Sequence, residues 1–175
     1  MEIYILRHGE AGQGFSDREK DALRPLTQVG KKEVKIISKA LLELGLEFDA
    51  IAASPLKRAY QTAQIAADTL DFKQKDGKAG RDGVEQWDEL KPDGNRIALY
   101  KKLSKFKTDD SVLLVGHEPF LGNMICDIIL GYEQKARINL KKSGVARLAI
   151  TSTHPKIEGE LRYLLTPGIL KRIGR

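Results

Sequence analysis

Cysteine is all but missing from this chain of 175 residues, with Cys126 the single example. One thiol excludes an internal disulfide and any metal site built from several cysteines. Aromatic side chains make up 6% of the residues, too few for a long platform on which nucleic-acid bases would stack. No apolar run is long enough to cross a bilayer. The opening Met1-Glu2-Ile3-Tyr4-Ile5-Leu6 has neither a basic leader nor a small-residue cleavage site, so a cytoplasmic location is expected. Internal repeats and low-complexity tracts are missing too. What is there is ordinary for a folded protein: 41% hydrophobic and 31% charged residues, a balance that disfavours disorder. The length suits one domain over residues 1–175, burying about 70% of the surface its unfolded chain exposes.

Thirty Lys and Arg against 24 Asp and Glu leave a net charge of +6. A basic surface favours acidic or phosphorylated partners. Lys101, Lys102, Lys105 and Lys107 alternate with Leu99, Leu103 and Phe106 at helical spacing. They read as the wet face of an amphipathic helix, not as a nucleic-acid stripe. Neither nucleic acid nor a membrane is expected as a partner. The basic end, Lys171, Arg172 and Arg175, reads as a partner contact or a frayed tail.

Residues 3–6, 51–53 and 112–115 are short apolar runs, as parallel strands covered on both faces require. Helical patterns lie between them. Val34, Ile37, Leu41 and Leu44 follow Thr27, a suitable N-cap, and Gly45 stops them. Ala59, Ala63, Ala66 and Leu70 form a second stripe; Leu121, Met124, Ile125 and Ile128 form another, ended near Gly131. This alternation predicts an α/β fold with a largely parallel sheet. Residues 145–150 and 161–165 flank a turn-rich stretch with Pro155 and Gly159 and read as a hairpin at a sheet edge. Residues 12–23 and 71–83 read as loops, the second as the most mobile segment.

The three strands run into Arg7-His8-Gly9-Glu10, Ser54-Pro55-Leu56-Lys57-Arg58 and Gly116-His117-Glu118-Pro119. Ligands in open α/β sheets bind beyond the carboxyl ends of the strands. Two histidines and two arginines are therefore expected along one ligand edge. Ser54 can cap the helix that follows, with Pro55 at its first position. Arg58 then lies about one turn in, with Thr62 on the same side. Pro119 marks the start of another helix, and helix N-termini attract anions. Gly9 and Gly116 permit close approach of backbone to a ligand. Arginine forks match phosphate oxygens, so this set suits a dianionic phosphoryl group better than a single carboxylate. Histidine, with an ordinary pKa of ~6.5, offers a lone pair at neutral pH. One histidine attacking phosphorus while the other and both arginines hold the equatorial oxygens would be phosphoryl-transfer chemistry. Singly, Arg7 would pass as a surface charge and Arg58 as a helix ion pair. Ordered at three strand ends, the four residues outweigh that reading. His154, between Thr153 and Pro155 in a loop, has no assigned role.

Ile5-Leu6-Arg7-His8-Gly9-Glu10-Ala11 resembles the opening of the histidine phosphatase, or phosphoglycerate-mutase-like, superfamily, in its small SixA-type branch of phosphohistidine phosphatases. Arg24-Pro25-Leu26-Thr27 with Gly30, Ser54-Pro55-Leu56-Lys57-Arg58-Ala59 with Gln61-Thr62-Ala63, Val115-Gly116-His117-Glu118-Pro119 and Leu164-Leu165-Thr166-Pro167 resemble its later motifs, in order along nearly the whole chain. The resemblance implies a three-layer α/β/α sandwich with one mostly parallel sheet. It implies His8 as the nucleophile, with Arg7, Arg58 and His117 around the phosphate and Arg24 as an additional pocket arginine. Glu89, in Trp87-Asp88-Glu89-Leu90-Lys91-Pro92, matches the branch's glutamate at this point and is the candidate proton donor. No metal or organic cofactor is implied. The implied partner is a phosphorylated protein, such as a histidine-containing phosphotransfer domain; a monomer is expected.

Three activities then compete: a phosphohistidine phosphatase working through phospho-His8, a phosphatase or mutase for small phosphoesters, and a phosphohistidine-binding module without catalysis. The short segment between Thr62 and Gly116 argues against a mutase, whose longer insertion encloses small substrates. Intact His8 and His117 weigh against a module that only binds.

Overall fold

The computed structural model describes residues 1–73, 83–131 and 136–175. Most of the stretch expected to be mobile, 74–82, lies outside the described residues. Strand β1 (Glu2–Arg7) is followed by α1 (Arg18–Ala22) and α2 (Gln28–Glu43). Then come β2 (Ala50–Ala53), α3 (Lys57–Thr69), β3 (Val84–Gln86), a 3₁₀ turn (Asp88–Leu90), α4 (Arg96–Leu103), β4 (Ser111–Gly116) and α5 (Phe120–Leu130). The hairpin β5 (Val145–Ser152) and β6 (Glu158–Leu165) leads to α6 (Pro167–Ile173). Among the described residues no helix is long and apolar enough to cross a membrane.

The sheet runs β3-β2-β4-β1-β5-β6. The first four strands are parallel, β5 is antiparallel to β1, and β6 to β5. Successive side chains of a strand point to opposite faces. Ile3 and Ile5 therefore enter the core under α4 and α5, while Tyr4 and Leu6 enter the core under α2, α3 and α6. Helices on both faces make three layers, and strands covered twice have no reason to alternate apolar with polar. Thr27 caps α2 by accepting from the Gly30 N–H, and Gly45, at φ +68°, ends it.

Three expectations need correction, and one short strand comes unannounced. Residues 12–23 are not all loop: Asp17 accepts from the N–H groups of Glu19 and Lys20 and starts α1. That helix has five residues, none buried, so no apolar period announces it. Strand β3 has three residues with one buried, again too little pattern to read. Lys102 is not on a wet face: it bonds Glu89 at 2.7 Å and lies 4.8 Å from the centre of the Trp87 ring, while α4 ends before Lys105 and Lys107. The C-terminal end is no frayed tail, since α6 packs on α2, buries Leu170 and pairs Lys171 with Glu33.

Candidate active site

Strand register assembles the site. Arg7 is opposite Gly116 in the parallel β1–β4 pair, so His8 and His117 leave the sheet side by side. Their ring centres lie 5.0 Å apart with planes at 54°. Ala53 is opposite Val115 in β2–β4, which brings Ser54 alongside, and its Oγ is 2.9 Å from His117 Nε2. Ser54 thus serves the site; it does not cap α3, whose N-cap is Leu56 with no side-chain bond. Pro55 falls before the helix, and Arg58 stands in its first turn.

His8 is 6% exposed. Its Nδ1 lies 2.7 Å from the Gly9 carbonyl oxygen. A carbonyl only accepts, so in the neutral ring Nδ1 carries the proton and Nε2 the lone pair. Gly9 is fixed in turn: its N–H donates to Thr62 Oγ1 at 3.1 Å, and that hydroxyl donates to the Arg58 carbonyl at 2.7 Å. A side chain on Gly9 would come within 2.6 Å of Val34. Burial pushes the His8 pKa down to about 4, and the Arg58, Arg7 and Arg24 cations push the same way against the Gly9 bond. Burial, then His8 and Arg58, push His117 down to about 2. Both rings are therefore neutral at pH 7.

Among the described residues, four buried side-chain polar atoms have no hydrogen-bond partner: Arg7 Nε, Arg58 Nε, His117 Nδ1 and Ser143 Oγ. All four belong to residues of this edge. Leaving such a group unpaired costs about 1–3 kcal/mol, and an anion with several acceptor oxygens is the kind of ligand that would meet the demand of the two arginine N–H groups. Three of the terminal guanidinium nitrogens are tied down. Arg7 Nη1 donates to the Leu140 carbonyl at 2.6 Å. Glu118 holds the Leu140 segment by accepting its N–H at 2.8 Å. Arg58 Nη1 donates to the Asp21 carbonyl at 2.8 Å, and its Nη2 pairs with Asp21 Oδ2 at 3.1 Å. Burial lowers the Arg58 pKa more than Asp21 restores it, and nearby Arg24 lowers it further.

A model of the histidine phosphatase superfamily, branch 1, matches residues 3–92. The chain belongs to the histidine phosphatase superfamily. It is 36% identical over 173 residues to an uncharacterised protein of a Picosynechococcus strain, covering 95% of this chain and 97% of that one. It is 28% identical to the phosphohistidine phosphatase SixA of Escherichia coli over 134 residues, covering 75% and 76% of the two chains. It is equally, 28%, identical to the mitochondrial serine/threonine-protein phosphatase Pgam5 of Drosophila mojavensis over 190 residues, spanning 64% of that protein's length. A structure of the protein histidine phosphatase SixA complexed with tungstate superposes with a TM-score of 0.80 at 24% identity, over 97% of this chain and 99% of the other. The fold is that of the SixA-type members.

Within this histidine phosphatase, Arg7, His8, Arg58 and His117 meet at one edge of the sheet. Arg24 reaches it through Asp21: Nε pairs with Asp21 Oδ1 at 2.9 Å, and Nη1 donates to the carbonyls of Ala11 and Gly12 at 2.9 and 3.1 Å. Glu89 is turned elsewhere, its Oε2 2.7 Å from Lys102 Nζ. Burial raises its pKa, yet the Lys102 hydrogen bond and charge outweigh this and hold the carboxyl below its ordinary value. Sequence reasoning missed Asp21 and Ser143. Ser143 is fully buried at φ +59°, and its N–H donates to the carbonyls of Arg7 at 3.1 Å and His8 at 3.3 Å. Left-handed backbone in a residue other than glycine carries strain, which clusters at functional sites. A cleft of about 460 Å³ lined by Phe15, Arg18, Asp21, Leu56, Lys91 and Pro92 adjoins the site at Asp21. Another, of about 380 Å³ near His154, lies between α4 and the β5–β6 turn, at the opposite end of the sheet.

Proposed function

We propose that this histidine phosphatase removes the phosphoryl group from a phosphohistidine of a partner protein by way of His8. The observation that carries the reading is the state of His8. Burial favours its neutral ring, its Nδ1–H is tied to the Gly9 carbonyl, and Nε2 keeps the lone pair at the edge where Arg7 Nε, Arg58 Nε and His117 Nδ1 have no partner. In the first step Nε2 forms a bond to phosphorus and the substrate's P–N bond breaks. The bonding pair stays on the substrate imidazole, which takes up a proton from solvent. In the second step water attacks phosphorus, the bond to Nε2 breaks, and inorganic phosphate leaves. Arg7, Arg58 and His117 stabilise the equatorial oxygens in both steps, and Arg24 supports the pocket from behind.

Two features favour phosphohistidine over a phosphoester. Exchanging one P–N bond for another is nearly balanced, and an imidazole leaves far more readily than an alkoxide. No strong acid is then required, which fits a Glu89 held ionised by Lys102. His8 is also deeply placed, at 6% exposure. A phosphohistidine carries its phosphorus further from the backbone than a phosphoserine does, so it reaches such a base more easily. The open cleft from Asp21 to Phe15 leaves room for the polypeptide that bears it. A histidine-containing phosphotransfer domain, approached by a monomer of this chain, is the partner we infer.

The test is a rapid quench into alkaline detergent with a radiolabelled phosphohistidine protein. The enzyme should carry an acid-labile label that chases into phosphate, and His8→Ala should carry none. Label on His8→Ala would overturn the role of His8. Faster turnover of phosphoserine peptides or sugar phosphates would overturn the substrate, and tight binding without phosphate release would reduce the protein to a binding module.

A further inference from the structure

Asp21 joins two pocket arginines and lines the neighbouring cleft. Its Oδ1 takes Arg24 Nε at 2.9 Å and the Phe15 N–H at 3.3 Å, and its Oδ2 takes Arg58 Nη2 at 3.1 Å. Its own carbonyl takes Arg58 Nη1 at 2.8 Å. Both terminal nitrogens of Arg58 are thus turned towards α1, and the buried Nε–H is what remains without a partner. Arg58 and Arg24 repel each other, and the charge of Asp21 is felt as far as His117. Resting on the phosphatase reading above, we propose that Asp21 is a positioning residue. It holds the end of the Arg58 guanidinium so that the Nε–H edge stays aimed at the transferring phosphoryl group, and it keeps Arg24 and Arg58 together despite their like charge.

A carboxylate in this place has two opposed effects, which make the claim testable. It orders the arginine that stabilises charge in the transition state, so losing it lowers kcat. It also subtracts one charge from a cationic pocket, so losing it does not weaken the binding of a free anion. Asp21→Asn keeps the shape and the backbone carbonyl while removing the charge. In the full-length protein it should lower kcat on phosphohistidine protein about tenfold or more, with the thermal midpoint near that of the parent. Inorganic phosphate, titrated calorimetrically, should bind at least as tightly as to the parent. A kcat within about threefold of the parent would overturn the proposal, and so would phosphate binding weakened in parallel with kcat, which would signal a collapsed pocket. Calorimetry needs no turnover, so a parent enzyme inert on phosphohistidine would sink the functional reading while phosphate affinity still reported on Asp21.

Discussion

Two arginine–aspartate clusters in this molecule invite comparison. In one, Asp127 Oδ2 accepts from Arg96 Nε at 2.6 Å and from the Tyr100 hydroxyl at 2.8 Å. Burial opposes the Arg96 charge, but the Asp127 hydrogen bond and charge more than compensate, and its pKa is raised. In the other, Asp21 serves both Arg58 and Arg24. There burial and the second guanidinium win, the Arg58 pKa is lowered, and Arg58 Nε has no partner. The first cluster ties α4 to α5 and leaves no unmet demand at Asp127. The second is left short of negative charge. On the proposed function, a site awaiting a phosphoryl dianion is less stable empty than it would be if fully paired, and the rest of the fold makes up the difference.

The sharpest way to break the comparison is to remove the group that the second cluster surrounds. His8→Ala should cut phosphohistidine turnover by about a thousandfold or more, while far-ultraviolet circular dichroism stays unchanged. Next come the clusters themselves. Arg58→Ala should lower kcat/KM by about a hundredfold or more, the scale of a lost charge donor. Its thermal midpoint should change little, because a buried, partly unmet charge leaves with it. Asp127→Ala should do the reverse: kcat within about twofold of the parent, and stability lower by about 1–3 kcal/mol as Arg96 and Tyr100 lose their acceptor. Steady-state kinetics beside denaturant melts would show the split, and a shared loss of both properties would erase the distinction between the clusters.

The same contrast explains which parts of the molecule are legible in its amino-acid sequence. Doubly covered parallel strands are continuous apolar runs, so the ends of β1, β2 and β4 stand out, and with them Arg7, His8, Arg58 and His117. Their convergence follows from register, which apolar runs of similar length already suggest. Asp21 is hidden because α1 buries nothing and its identity rests on a single cap at Asp17. Ser143 is hidden because its tie to Arg7 and His8 comes from the antiparallel β1–β5 pairing, far away in the chain. The double contact of Ser54 with Leu56 and His117 shows why a good cap residue misleads: a partner 63 residues away has the stronger claim on its hydroxyl. Glu89 can be recognised by motif, but its pairing with Lys102 depends on how the 3₁₀ turn packs on α4.

The two buried histidines should also set an acid limit on stability. Each has a folded-state pKa below the ordinary ~6.5, about 4 for His8 and about 2 for His117. As pH falls below the unfolded value, the unfolded chain takes up protons that the folded chain refuses. Stability present above ~6.5 is then lost towards the folded pKa, at no more than about 1.4 kcal/mol per pH unit for each ring. Denaturant melts between neutral pH and pH 5 should show this slope, and His117→Gln should make it shallower. An unchanged slope in that variant would mean that His117 titrates normally.

The smallest effect is expected at a third ion pair, Glu89–Lys102. Lys102→Ala removes the cation that keeps the Glu89 carboxyl below its ordinary pKa, leaving burial to push it upward. If the substrate's imidazole leaves without an acid, turnover of phosphohistidine protein should stay within about twofold of the parent. The hydrolysis of an aryl phosphate with a poor leaving group should respond more, because an alkoxide-like oxygen gains from a carboxyl better able to give a proton. The ratio of the two rates is the measurement. A fall in phosphohistidine turnover of tenfold or more, about 1.4 kcal/mol of barrier, with the aryl phosphate unchanged, would place Lys102 or Glu89 in the path of the natural reaction. The contrast between fully paired charge and the unmet demand at the site would then have to be redrawn to include the 3₁₀ turn.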